Sequence, residues 1–235
     1  MYYRVTSFEL DLRERGWKPG EGQQIGDVAH VNKDRIVRQK EDHQLGEIID
    51  GVDTSKLEGF RSAIQKEPLT LGLKAKALWD GEMGRATVHI GPYKLGDQEI
   101  KRDTRQYRVS YGAWKEVEDA LGMVGPTDRE EPVEMALGAM AACIVNSITW
   151  NVHRHGIKLD ELVVSVSTDV NPEVLLELRG PEEHTACMQN LRADIKVKGE
   201  GLTPEKLEII KKLATHSPVD GLISQANQIS HTVTT

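Results

Sequence analysis

One stretch constrains this chain more than any other: EPVEMALGAMAACIVNSITWNVHRHG, Glu131 to Gly156. Pro132 suits the first turn of a helix, where its missing N–H is not needed. Glu130, Glu131 and Glu134 put negative charge where the helix dipole favours it. From Met135 to Val145 no side chain is charged, and small residues alternate with large ones. A helix apolar on all sides is normally buried on all sides. His153, Arg154 and His155 bring cations or potential cations to the far end, and Gly156 supplies a stop. Cys143 sits mid-helix. The stretch predicts a long, buried, central helix carrying one thiol, and the rest of the fold has to cover it.

Composition narrows the function classes. The apolar run is interrupted by Asn146 and falls short of the roughly 20 residues that span a bilayer. MYYRVTSFELDLRERG has no apolar core of a secretory signal. A net charge of −7 argues against a nucleic-acid backbone as partner. The two cysteines make no disulfide framework. The expected setting is the reducing cytoplasm, with neither membrane nor nucleic acid as partner.

The remaining segments arrange themselves around that helix. Residues 1–50 read as an N-terminal extension, with a strand in Tyr2–Leu12, a glycine-punctuated loop and a mixed-charge run at Lys33–His43. GEGQQIG lacks the spacing of a dinucleotide fingerprint. Residues 51–235 read as one domain. Asp53 or Thr54 caps a helix with the stripe Leu57, Phe60 and Ile64. Leu71–Trp79 alternates as a strand, Asp80-Gly81 turns, and Arg85–Tyr93 returns as the second strand of a hairpin. Thr104–Tyr111 is a third strand, and Gly112–Arg129 is irregular. After the central helix, Leu162–Val170 is a strand rich in β-branched residues. Asn171–Asn190 stays ambiguous, with a strand possible at Val174–Leu178. Leu191–Gly199 is another half-buried strand. Thr203 caps a helix opened by Pro204, with Leu207, Ile210 and Leu213 inward. Ser217-Pro218 breaks that helix before a short helical turn, and Gln228–Val233 closes as an edge strand. The order is α+β rather than alternating βα. One small sheet covers such a helix poorly, so a second subunit is an economical second wall.

EPVEMALGAMAACI resembles the central-helix signature of the OsmC/Ohr family, the osmotically inducible and organic hydroperoxide resistance proteins. In that family a Pro opens the helix and the reactive cysteine follows eleven residues later, the spacing of Pro132 and Cys143. The hairpin with Trp79, Asp80, Gly81 and Gly84 is similar to the family's first two strands. LTPEKLEIIKKLATHSPV is similar to its C-terminal helix and following turn. The resemblance runs from about residue 54 to the C-terminus. It implies an antiparallel sheet wrapped around the central helix in an intertwined homodimer, with sites at the subunit interface. It also implies reduction of organic hydroperoxides by a cysteine thiolate, and no cofactor beyond an external thiol reductant. Three positions depart from the family pattern. Ser217 stands where a second cysteine would resolve the sulfenic acid. Val133 follows Pro132 where an active-site Glu would be, and Glu134 comes one later. Glu82 lies near the expected hairpin Arg, with Arg85 three residues on. These departures resemble a single-cysteine branch with PVE and HSPV motifs.

Each candidate residue has an ordinary reading beside the catalytic one. A buried thiol is commonly an inert core residue, whereas the resemblance makes Cys143 the attacking thiol. A free thiol of pKa near 8.5 is only about 3% ionised at pH 7, and burial lowers that, so a cation is required. Arg85 and Arg108, on expected strands, are the candidate donors; each is otherwise a solvated strand-face charge. Glu134 either complements the helix dipole or orients an Arg. His216 either approaches Cys143 or interacts with the end of its own helix. Ser217 either hydrogen-bonds a sulfenate or caps the next turn. Met135, Leu137, Met140 and Ile144 are expected to line a pocket for alkyl or lipid hydroperoxides. Nothing in the sequence brings Cys187 to Cys143 for a disulfide. His184-x-x-Cys187 and His153-x-His155 are too sparse for a metal site, and no metal is expected. The rival reading is a non-enzymatic dimer that keeps the fold to bind an apolar small molecule, with Cys143 merely packed.

Overall fold

The structure, a computed structural model, describes residues 46–225 and 229–234. In chain order its elements are β1 (Ile48–Ile49), β2 (Val52–Asp53), α1 (Thr54–Lys66), β3 (Leu71–Gly72), β4 (Ala75–Trp79), β5 (Ala86–Ile90), β6 (Tyr93–Leu95), β7 (Gln98–Ile100), β8 (Tyr107–Tyr111), α2 (Lys115–Ala120), α3 (Pro132–Thr149), β9 (Glu161–Val170), α4 (His184–Cys187), β10 (Met188–Lys198), α5 (Pro204–Ala214) and α6 (Pro218–Ser224). The class is α+β, and every pairing between these strands is antiparallel. The readings placed on Tyr2–Leu12 and Lys33–His43 lie outside the described residues.

The described residues fall into two compact units, one holding residues 46–74 with Gly91–Gln106 and the other Ala75–Ile90 with Tyr107 onward. In the first, Asp50 and Gly51 both take positive φ (50° and 81°), the two-residue turn that matches strand twist, and join β1 to β2. Asp53 then caps α1: its Oδ1 accepts from the N–H groups of Ser55 (3.0 Å) and Lys56 (3.2 Å). Leu57 and Ile64 are half-buried, but Phe60 is exposed. The unit's sheet has the order β3-β6-β7.

In the second unit α3 begins where Pro132 predicts, capped by an unexpected residue. Glu131 Oε2 accepts from the N–H groups of Val133 (2.7 Å) and Glu134 (3.0 Å). The α-helix ends at Thr149 rather than running on to Gly156. Asn151 Nδ2 occupies the Ser147 carbonyl (2.8 Å), and the Asn151 N–H takes Ile148 instead (3.0 Å). That tightens the chain into a 3-10 turn at Val152–His155, which Gly156 closes at φ 61°.

Only one stripe of α3 is buried. Met140, Ile144, Ser147 and Ile148 follow helical spacing, and the three apolar ones join Val152, Ile157, Ile210, Leu213 and Ala214 in the core. The sheet β10-β9 supplies the opposite wall through Leu162, Val164 and Val166 on β9 and Ile195 and Val197 on β10. Their register pairs Val164 with Ile195 and Leu162 with Val197, so alternation puts these residues on one face. The other face of α3 (Met135, Gly138, Ala139, Ala142, Asn146 and Thr149) is exposed. The expectation of burial on all sides therefore fails within a single chain.

Other expectations change with the pairing. Leu71–Trp79 is two strands, not one, because β3 pairs with β6 and β4 with β5. Arg85–Tyr93 is likewise divided at Gly91-Pro92, where proline has no N–H for a ladder. The hairpin itself is present as β4–β5, Trp79 opposite Ala86, and β8 adds to β5 with Ala86 opposite Tyr111. All of β4 is exposed despite its alternation. Gly112–Arg129, read as irregular, contains α2. Val174–Leu178 is not a strand: Leu176 N–H bonds Pro172 O (3.0 Å) and Leu178 N–H bonds Glu173 O (2.8 Å), which curls it into turns. Residues 229–233 form no strand. Among the described residues the strands make four separate sheets rather than one sheet around the helix.

Candidate functional site

Cys143 is half-buried on α3 and is a free thiol. At 100° per residue it lies at the margin of the buried stripe. Met140 and Ser147 stand on its covered side, and Ala139, Ala142 and Asn146 on its exposed side. The core stripe thus holds the helix while leaving Cys143 half-buried at its edge. Ser147 fixes the geometry from below: its Oγ donates to the Leu213 carbonyl at 2.6 Å, tying α3 to the last turn of α5. Met140 and Ile144 are buried in the stripe that faces β9 and α5. Leu137 is half-buried and Met135 exposed.

Arg85 is the most constrained charge in the described chain. It follows the β4–β5 turn and is 6% exposed. Its Nε donates to Glu118 Oε1 (3.1 Å) and its Nη2 to Glu118 Oε2 (2.5 Å). Nη2 also donates to the Gly125 carbonyl (3.1 Å), and Nη1 to the carboxylate of Glu82. Glu118, on α2, is 1% exposed and accepts a further bond from the Thr127 N–H (2.8 Å). A fork-to-fork pair is the geometry in which a buried guanidinium and carboxylate satisfy one another. The Arg85 hydrogen bond first, then the Thr127 N–H, holds the Glu118 carboxyl down at about 2. Glu118 and Glu82 in turn push the Arg85 guanidinium up. A second tie runs alongside: Arg129 Nη1 meets Asp80 Oδ2 at 2.9 Å, and Thr87 Oγ1 donates to Asp80 Oδ1 at 3.0 Å. Both bonds lower the Asp80 carboxyl, Arg129's more. Gly112 leaves the room this requires, since a Cβ there would stand 2.8 Å from Arg129 Cδ. The hairpin turn is thereby clamped to the segment that leads into α3.

The other sequence candidates are spread out. Arg108, on β8 opposite His89, is exposed. Glu134 is exposed and its N–H is held by Glu131. His216 is exposed, and its Nδ1 donates to the Lys212 carbonyl (2.9 Å) at the end of α5. Ser217 is buried and caps α6, its Oγ accepting from the Asp220 N–H at 3.1 Å. The hydrogen bonds of Arg85, His216 and Ser217 thus all run to groups other than Cys143. Among the described residues α3 packs chiefly on β9, α5 and α6, whereas Arg108 lies on β8 and Arg85 just before β5. Cys187 is buried in α4. Among the described residues no cluster of His, Cys, Asp and Glu has the makings of a metal site. Glu118 was missed from sequence because KEVEDA offers three acidic residues with nothing to single out the buried one. Glu131 was noted for its charge but not as the cap.

Residues 125–232 match the family model described as OsmC-like protein. The match starts beyond Arg85, Arg108 and Glu118 and includes Cys143 and Ser217. Among solved structures, the chain is similar to an OsmC-like protein from Mycoplasma pneumoniae (10% identity, 65% of this chain and 86% of that one, TM-score 0.44). It is also similar to an OsmC-like protein of unknown function from Vibrio cholerae (12% identity, 64% and 92%, TM-score 0.41). A third is a putative osmotic stress induced and detoxification response protein from Psychrobacter arcticus (13% identity, 62% and 83%, TM-score 0.37). No curated protein matches this chain at a significant level.

Proposed function

We propose a thiol-dependent hydroperoxide reductase, from the premise that the chain belongs to the OsmC-like protein family through residues 125–232. The observation that carries this reading is the position of Cys143, half-buried where the packed stripe of α3 meets its uncovered face. In the proposed reaction the Cys143 thiolate attacks the outer oxygen of an organic hydroperoxide. The O–O bond breaks, the alkoxide leaves as an alcohol after taking a proton, and the sulfur becomes a sulfenic acid. With Ser217 in place of a second cysteine, an external thiol condenses with the sulfenic acid and releases water. A second thiol then reduces that mixed disulfide and restores Cys143.

The proposed working unit is a homodimer. The exposed face of α3 is small and apolar around Gly138, Ala139 and Ala142, the surface on which a second helix packs closely. The dimer would bring further groups to Cys143, including a cation, which no hydrogen bond among the described residues of its own chain supplies. The cytoplasm, which keeps Cys143 and Cys187 reduced, is the proposed compartment.

One observation favours the rival, non-enzymatic reading. Arg85 is already balanced by two carboxylates and has little charge left to lend a thiolate. The test is mass spectrometry after brief exposure to cumene hydroperoxide with a sulfenic-acid trap, beside Cys143→Ser. An adduct on Cys143 at low peroxide excess is expected. An untouched Cys143 that also resists alkylation in the folded protein would leave the binding dimer.

A further inference from the structure

Arg85 presents two unequal sides. Nε and Nη2 are locked inward by Glu118 and the Gly125 carbonyl. Among the described residues Nη1 is met only by Glu82, a residue 53% exposed on a turn whose Gly81 and Gly84 both have positive φ. The two carboxylates therefore differ in kind. Glu118 is inaccessible and held by the Thr127 N–H as well. Glu82 is 53% exposed, on a flexible side chain, and bonded to Arg85 at a single nitrogen.

We propose that the Nη1 side of Arg85 is a binding site for a small monocarboxylate with an apolar tail, and that Glu82 is its built-in competitor. The site already accepts one carboxylate from within the chain, so an external one restores the same charge balance when Glu82 swings out. A single nitrogen suits one oxygen, and the buried Glu118 beside it disfavours a dianion such as phosphate. The apolar tail follows from the neighbours. Met83 and Val124 are 84% and 95% exposed, adjoining Glu82 and Gly125 in sequence, and the exposed Trp79 donates its indole N–H to the Glu82 carbonyl at 2.6 Å. This site does not depend on the chemistry of Cys143.

A self-ligand lowers apparent affinity by the fraction of time the site is open. If Glu82 fills the position about nine-tenths of the time, its removal tightens binding about tenfold. Calorimetric titration of the full chain with octanoate and with octanamide, its uncharged counterpart, tests this. Glu82→Ala is expected to bind octanoate about tenfold more tightly than the unaltered protein, with no comparable gain for octanamide; Glu82→Gln, which keeps the side chain's size, is expected to shift the same way by less. Equal octanoate affinity in all three proteins would overturn the proposal, as would an equal gain for octanamide, which would mean an apolar patch without charge recognition.

Discussion

Glu118 shows how far a single buried carboxylate can differ from its exposed neighbours in one short helix. Glu116 and Asp119 face water, while Glu118 holds Arg85 with both oxygens. Removing one partner of a buried pair leaves an uncompensated charge. Glu118→Ala is therefore expected to lower the melting temperature well beyond the effect of Glu82→Ala, whose carboxylate is half in water; differential scanning calorimetry of the two checks the order. The same pair sets an acid limit. The folded carboxyl titrates at about 2 instead of 4.5, so its stabilisation is fully present above pH 4.5 and is lost as pH falls toward 2. Urea midpoints measured across that window should fall for the unaltered protein and fall less steeply for Glu118→Gln. Ser217 is a different case, in which the ordinary reading accounts for the burial: Ser217→Ala should cost about 1 kcal/mol as a lost helix cap, measured by urea unfolding.

Among the elements, α3 has two faces that should respond differently to the same substitution. Ile148 is fully buried against β9 and α5, so Ile148→Ala should destabilise by roughly 2–5 kcal/mol. Met135, on the uncovered face, should change monomer stability by no more than about 0.5 kcal/mol when truncated to Ala. Chemical denaturation of both variants reads the difference. The long elements were legible because their signals repeat over many residues. Pro132 and Thr203-Pro204 marked helix starts, and the β-branched residues of Leu162–Val170 and the alternation of Leu191–Gly199 predicted two strands, which the structure pairs against the helix. Short elements were not. The β6–β7 hairpin has three residues a side and mixed charge, and α2 has six residues with no apolar stripe. Alternation in Leu71–Trp79 correctly said strand, yet it did not say that its two ends would pair with different partners.

At the scale of the whole molecule, the described residues leave the small-residue face of α3 uncovered. If a second copy covers the small-residue face of α3, a charge there is excluded from the interface, since burying an unpaired carboxylate is strongly unfavourable. Ala142→Glu is expected to convert a dimer to a folded monomer, with sedimentation velocity reporting the mass and far-ultraviolet circular dichroism unchanged. A dimer that persists in this variant would mean that α3 is not its seam. By itself the sequence determined the α+β class, the central helix from Pro132, the flanking strands and the placement of Cys143 on that helix, because periodicity and capping act between residues near one another in the chain. Only the tertiary structure decided that a single stripe of the helix is buried, that Arg85 is clamped by Glu118 thirty-three residues away, and that Met140 and Ile144 belong to the core. Those outcomes depend on which surfaces meet in space, and local pattern carries no record of that.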